Sequence, residues 1–355
     1  MKSAFLEDLA TNLRSDLPKD LTANPSWLLD FIEAHVPTDH GRYSLEHHAP
    51  MREIVKLLER IVVHRESETR VDIVKGEQIG FTTFALGFAL WLCAEYGYNV
   101  GYFLPNDAFA SEFGMARLNP IIDGSPYLTS LMDDAAVDRG VLKNIGEKFL
   151  YLLGLSKISG ATTRPMDFQI SDEVDLTSEY VRKWKRGRMS ASKLRVELDF
   201  SAPYRQDSGI DARYKAGSQH KWLVKCVACG KDEICLEEIM DLSECFRSFS
   251  GTWVRVCPAC HRKLDITENG RWVAAQPAEV KEGRYSYRLS TMAFEAISAD
   301  FIMHEYLAAL DDPEAMAIFD RTRRGIANAG ALQPFTEAKL LEMERDYVLK
   351  YERTG

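Results

Sequence analysis

No stretch of this chain is apolar for long enough to cross a membrane. Its most apolar segment, Phe81 to Cys93, falls well short of the roughly 20 residues a spanning helix needs. The first eight residues, Met1 to Asp8, lack the profile of a signal peptide. Both absences point to an intracellular protein with no membrane partner. Positive charge is also short: 44 Lys and Arg stand against 53 Asp and Glu, for a net charge of −9. That excludes a global basic field drawing in nucleic acid, so any such contact must come from a local patch. A full disulfide framework is excluded too, because the cysteines number seven and four of them fall in two C-x-x-C pairs. In an intracellular chain that pattern favours metal. There is no internal repeat. At 355 residues and 46% hydrophobic content, the chain is long enough for one large globular domain or two ordinary ones.

The stretch Val71 to Thr83 carries the first chemical signal. Val71, Ile73 and Val74 form a β-branched run suited to a buried strand, and Gly76 and Gly80 punctuate a loop. From Thr82 the pattern turns helical, with Phe84, Leu86, Phe88, Ala89 and Leu92 apolar. Strand, glycine loop and helix together aim backbone N–H groups and a helix N-terminus at a phosphate. What is missing is the usual lysine of the G-x-x-x-x-G-K-[ST] pattern. Lys75 stands where the first glycine belongs, Phe81 replaces the lysine, and Thr82 fills the magnesium-ligating position. Lys75, at the opposite end of the loop, still offers a cation for the β- and γ-phosphates. A strand–turn–helix connection of any α/β domain accounts for the same residues.

Further strands are expected at Asn99 to Leu104, Phe149 to Leu153, Phe168 to Ile170, Val196 to Phe200 and Arg284 to Leu289. Helices are expected at about Ala108 to Leu118, Phe301 to Leu310, Glu314 to Arg324 and Lys339 to Tyr351. This alternation predicts an α/β fold, a mostly parallel sheet flanked by helices. The fourth strand runs into Asp172, Glu173 and Asp175. An acidic residue at a strand's carboxyl end can hold Mg²⁺, and a following glutamate can polarise water. An acidic helix N-cap is the competing account. The adjacent His47 and His48 read as a solvated loop.

Arg182, Lys183, Lys185, Arg186, Arg188 and Lys193, with Trp184 among them, make the strongest cationic cluster of an acidic chain. They suit contact with a phosphate backbone, or a solvated helix face. Cys226, Cys229, Cys257 and Cys260 supply four thiolates, the donor set of a closed, structural zinc site. The interval between the pairs has room for a strand or short helix. Cys93, Cys235 and Cys245 read as core or surface thiols.

In their order, the loop, the Asp-Glu pair, Ser201-Ala202-Pro203 and the two knuckles resemble the large terminase subunits of tailed bacteriophages, and within them the lambda-type branch. That family places its loop lysine first, as Lys75 stands here, and an aromatic residue after the second glycine, as at Phe81. Its Walker B motif is similar to Phe168 to Asp175, and its coupling motif to Ser201-Ala202-Pro203, with Ala202 a departure. The resemblance runs from about residue 40 to the end.

The resemblance implies a P-loop NTPase-like ATPase that moves double-stranded DNA into a procapsid in the host cytoplasm. It would work as a homo-oligomeric ring, with a portal protein and a small terminase subunit as partners. ATP, Mg²⁺ and Zn²⁺ would be its cofactors. Lys75, Gly76, Glu77, Gln78, Ile79, Gly80, Phe81 and Thr82 would cradle the phosphates, Thr82 and Asp172 would hold Mg²⁺, Glu173 would orient water, and Ser201 would sense the γ-phosphate. An arginine finger belongs to this chemistry, and Arg117 is the candidate. The expected organisation is a helical segment at 1–60, an ATPase domain at 61–335 with a zinc-binding insertion at about 220–275, and a helical linker at 336–355. The nuclease domain of full-length members would lie beyond it, so no nuclease activity is expected. The alternatives are a ring scaffold without turnover and a zinc-stabilised DNA-binding module without an ATP site.

Overall fold

The β-branched run at Val71, Ile73 and Val74 forms strand β1 (Arg70–Lys75), buried from Val71 onward. The computed structural model that shows this describes residues 26–39, 41–132, 141–157 and 164–327. The expected helix Lys339 to Tyr351 and the linker 336–355 lie outside the described residues.

Eight further strands join β1: β2 (Val100–Leu104), β3 (Leu142–Ile145), β4 (Lys148–Gly154), β5 (Phe168–Asp172), β6 (Val196–Ser201), β7 (His220–Val224), β8 (Gly270–Ala274) and β9 (Arg284–Leu289). They form one nine-stranded sheet in the order β8-β7-β9-β1-β6-β5-β2-β4-β3. Every pairing between β7 and β4 is parallel, and an antiparallel strand closes each edge, β8 on β7 and β3 on β4. Strands buried on both faces read as unbroken apolar runs, which is why the central ones are legible. The edge strands β3 and β8, and β7 next to β8, which the sequence pattern leaves out, are half-polar. Their burial alternates or fades along the strand, so no apolar run marks them.

The longer helices are α1 (Trp27–His35), α2 (Ala49–Val63), α3 (Phe81–Tyr96), α4 (Asp107–Phe113), α5 (Glu179–Lys185), α6 (Gly209–Lys215), α7 (Ala299–Ala309) and α8 (Pro313–Phe319). Two expected helices change pitch before they end. α4 continues as a π-type turn, Gly114–Leu118, and α8 as another, Asp320–Arg324.

α3 is apolar all round, and from Phe84 to Cys93 every residue is buried. It therefore needs cover on the side away from the sheet, and α1 provides it. Trp27 meets Trp91 edge-on at 5.7 Å. Gly87 lets the two helices approach, since a Cβ there would come within 2.9 Å of Val36 and 3.0 Å of Ile32. The N-terminal helices thus share one core with the sheet.

Candidate active site

The sheet order sets β1, β6 and β5 side by side, so Lys75, Ser201 and Asp172 finish adjacent strands at the same edge. The crevice beyond the carboxyl ends of parallel strands is where ligands bind in such sheets. Lys75 Nζ lies 2.7 Å from Glu173 Oε1 and 3.8 Å from Asp172 Oδ1. Thr82, in the first turn of α3, donates to Asp172 Oδ2 at 3.0 Å. Ser201 donates to Glu173 Oε2 at 3.2 Å, and Tyr102 to Asp172 Oδ2 at 3.4 Å. Five residues singled out in the sequence, Lys75, Thr82, Asp172, Glu173 and Ser201, therefore meet in one cluster.

Burial disfavours the Lys75 ammonium, but the two carboxylates outweigh it and hold its pKa above the ordinary lysine value. Burial pushes the Asp172 carboxyl up to about 6, against the pull of Lys75. Asp172 Oδ1 is buried without a hydrogen bond. A buried carboxylate oxygen with no hydrogen bond, on a carboxylate whose other oxygen accepts from the Thr82 hydroxyl, fits a divalent cation. Thr82 and Asp172 are the residues that would hold Mg²⁺.

The loop owes its shape to specific backbone positions. Gly80 and Gln78 adopt left-handed φ of 75° and 60°, which turn the chain into α3. Glu173 is also left-handed, at φ 53°, a conformation costly for a residue with a side chain. Among the loop residues, Gly76 and Ile79 are buried, while Glu77, Gln78 and Gly80 are exposed.

Phe81 does not face the site. It is 1% exposed and packs edge-on against Phe200, with centroids 4.9 Å apart. Its contribution to a phosphate would be its backbone N–H. The side chain at this position is core, and the cation beside the two carboxylates is Lys75. Restoring the usual lysine as Phe81→Lys should therefore not raise activity. It should cost about 3–5 kcal/mol, by removing a buried ring and placing a charge in its space. A urea unfolding curve measures this, and a variant as stable as wild type would contradict the placement.

The acidic residues are not a helix cap. Glu173 leads into a short turn, Val174–Leu176, and the cap of α5 is Ser178, whose Oγ accepts from Val181 N–H at 3.3 Å. Asp175 has a role the sequence pattern does not reveal. It accepts from Tyr204 N–H at 2.7 Å and Ile210 N–H at 2.6 Å, tying the turn after Glu173 to the loop after Ser201 and to α6.

The cationic cluster divides. Arg182 and Lys185 are internal and are withdrawn as phosphate-backbone contacts. Arg182 donates to Val174 O, and Lys185, with no exposed side-chain surface, bonds Ser171 Oγ at 2.7 Å and pairs with Asp199. Their aliphatic stems and charged ends both serve the interior, because α5 presents that face to β5 and β6. Lys183, Trp184 and Arg186 are exposed, and Arg188 is half-buried. Lys183 pairs with Glu179 and Arg186 with Glu68, so part of the surface charge is already compensated. Arg117 is exposed on the turn after α4 and makes no hydrogen bond or ion pair to the Lys75 cluster among the described residues. His47 faces Glu295 at 3.3 Å, and His48 packs against Phe294.

The four knuckle cysteines do converge. Their Sγ atoms all lie within 4.8 Å of one another, with Cys226–Cys260 and Cys229–Cys257 at 3.7 Å. Four thiolates each about 2.3 Å from a tetrahedral zinc would be about 3.8 Å apart. The donor set and spacing fit zinc. The interval between the knuckles holds a hairpin, Phe246–Phe249 with Thr252–Arg255, as the spacing allowed. Cys93 and Cys245 are buried thiols.

A family model described as phage terminase large subunit gpA, ATPase domain, matches residues 38–278. The chain belongs to that family. The match spans the phosphate loop, the Asp-Glu pair, Ser201 and both knuckles, and the sheet it covers carries the cluster just described. An ATPase domain of a terminase large subunit is thus what these residues build, as the resemblance implied. Among solved structures, the large terminase of bacteriophage HK97 is 13% identical, with 53% of this chain and 39% of that one covered, at a TM-score of 0.42. The ATPase domain of the Thermus phage P74-26 large terminase is 12% identical, with 82% and 98% covered, at 0.45. The large terminase of another thermophilic bacteriophage, in complex with ADP, is 12% identical, with 78% and 52% covered, at 0.42. The chain thus spans about two fifths of the HK97 protein's length. Comparison with curated proteins finds no match. No described helix is long and apolar enough to cross a membrane.

Proposed function

We propose that this chain is the ATP-hydrolysing motor domain of a viral DNA-packaging terminase, translocating double-stranded DNA into a procapsid. The observation that carries the proposal is the meeting of Lys75, Thr82, Asp172, Glu173 and Ser201 at the carboxyl ends of three adjacent strands. Backbone N–H groups from Gly76 to Thr82 cradle the phosphates, and Lys75 neutralises β/γ charge. Mg²⁺, when bound, supplies charge neutralisation across those oxygens. Thr82 and Asp172 hold its place, and Glu173 orients the attacking water. Ser201, bonded to Glu173, registers the γ-phosphate, and Asp175 passes that change to α6.

Arg117 is the proposed finger for a neighbouring subunit's site in a homo-oligomeric ring, where its exposure is a requirement. Lys183, Arg186 and Arg188 are the remaining candidates for contact with the DNA backbone. The four cysteines hold a structural Zn²⁺. A portal protein and a small terminase subunit are the proposed partners, in the host cytoplasm.

Lys75→Ala separates this reading from a ring scaffold. Single-turnover ATP hydrolysis at high protein concentration with Mg²⁺ should fall by about 10²- to 10³-fold, as expected when one charge-stabilising donor is removed. Equal rates in the two proteins would sink the catalytic reading.

A further inference from the structure

We infer that the cysteine-knuckle insertion sets the position of the phosphate loop through two buried positioning residues, Arg255 and Arg324. The effect on nucleotide binding rests on the function proposed above; the contacts do not.

The start of the loop is anchored at two points. Gly76 N–H donates to Leu289 O and Glu77 N–H to Thr322 O, both at 2.8 Å. Thr291 closes over the same place, since a Cβ on Gly76 would lie 2.7 Å from its Cγ2 and 3.0 Å from Thr322 O. The two anchoring segments are also tied to each other. Ser290 Oγ and Thr291 Oγ1 both donate to Arg323 O, at 3.1 and 2.9 Å. The first turn of the loop therefore cannot move without the 289–292 and 320–324 segments.

Each of those segments is held in turn from the insertion. Arg255, at the end of the hairpin and two residues before Cys257, is 8% exposed. Its Nε donates to Met292 O at 2.9 Å, and its Nη2 to Phe294 O at 3.0 Å and Ile297 O at 2.8 Å. Three carbonyls of one irregular segment thus converge on a single guanidinium, whose planar set of donors fixes their relative positions. Arg324, 1% exposed, reaches the other way. Its Nη2 donates to Met240 O, inside the insertion, at 2.7 Å, and its guanidinium lies against Tyr306 and Phe319. One arginine goes from the insertion to the core and the other from the core to the insertion. The first ends on one segment that carries the loop, and the second springs from the other. Met240 and Arg255 lie between the two cysteine pairs, so the thiolate cluster fixes both ends of the stretch that bears them.

The test is equilibrium binding of a fluorescent ADP analogue to Arg255→Lys and Arg324→Lys. Arg271→Ala, which removes an exposed pair with Asp232 in the same insertion, is the control. Each lysine variant keeps the charge and loses the fork. Affinity should fall about tenfold, as for loss of a buried charged hydrogen bond, with the control unchanged. At saturating ATP the single-turnover rate should stay near wild type, because Asp172 and Glu173 hang on a different strand; general destabilisation would not produce that split. Wild-type affinity in both folded lysine variants would overturn the inference.

Hydrogen exchange of peptides covering residues 74–80 needs neither nucleotide nor variant. Stripping the metal from wild-type protein with a chelator should speed exchange there, and unchanged exchange would overturn the inference as well. If wild-type protein bound no ADP, the nucleotide reading would fall by itself, and the exchange experiment would still decide the coupling.

Discussion

Replacing Glu173 with glutamine should cut single-turnover ATP hydrolysis by about 10²- to 10⁴-fold, the range for losing a general base, and leave nucleotide binding in place. The substitution is nearly isosteric. The glutamine oxygen can still accept from Lys75, and its amide N–H can donate to the Ser201 hydroxyl once that hydroxyl turns, so the arrangement at the end of β5 persists. What disappears is the carboxylate that takes a proton from water. Glu173 reaches the site from a left-handed backbone position, a strained conformation that functional residues tolerate and ordinary turn residues avoid. Rapid-quench measurement of phosphate release, beside an ADP-binding isotherm, separates the two effects. Wild-type turnover in Glu173→Gln would move the role of base elsewhere.

Asp199→Ala should be the most damaging substitution away from the cluster. Asp199 is fully buried on β6, paired with Lys185 from α5 and with Arg213 from α6 at 2.6 Å. Arg213 also reaches Asp72 on β1 at 3.1 Å. Removing the carboxylate leaves two cations facing one another without their shared anion. Breaking a buried pair in this way costs about 3–5 kcal/mol, a large part of the roughly 5–15 kcal/mol that holds a native domain.

The pH dependence follows from the same contacts. Burial opposes the Asp199 charge, but the Lys185 ammonium and the Arg213 guanidinium outweigh it and hold the carboxyl well below the usual range. A depressed folded-state pKa contributes stability above the unfolded value of about 4, and that contribution is lost as pH falls below it. Urea midpoints measured from neutral pH into the acid range should show a steep acid limb in wild type and a shallower one in Asp199→Ala. Parallel curves would mean the pair contributes nothing.

The site was more legible in the sequence than the framework around it. Lys75, Thr82, Asp172, Glu173 and Ser201 stood at ends of apolar runs, and runs buried on both faces are the strongest strand signal. Their meeting then follows from the parallel order of β1, β6 and β5. The same rule explains the failures. β3 and β8 form the sheet's edges and β7 pairs with β8, positions where half the side chains are polar, and so they leave no run to read. Arg182 and Lys185 went wrong for another reason: charge in a sequence says nothing about the acids that fold against it. Asp199 and Glu197 lie on a strand that reads as merely apolar-flanked, and only the packing of α5 on that strand turns a basic cluster inward. Arg255 and Arg324 left no signal at all, since their partners are backbone carbonyls, which every residue has.

The helix that follows the phosphate loop has no face made for water. Phe84, Phe88, Trp91 and Leu92 are covered partly by the sheet and partly by residues 27–63. The expected boundary near residue 60 therefore does not mark a place where the protein can be trimmed. A shorter fragment opening at β1 would retain all five clustered side chains, yet present a wide, sticky aromatic surface to solvent. Its fate would be self-association during expression. A fragment meant to keep the five clustered side chains covered should therefore also keep the helix that begins with Trp27.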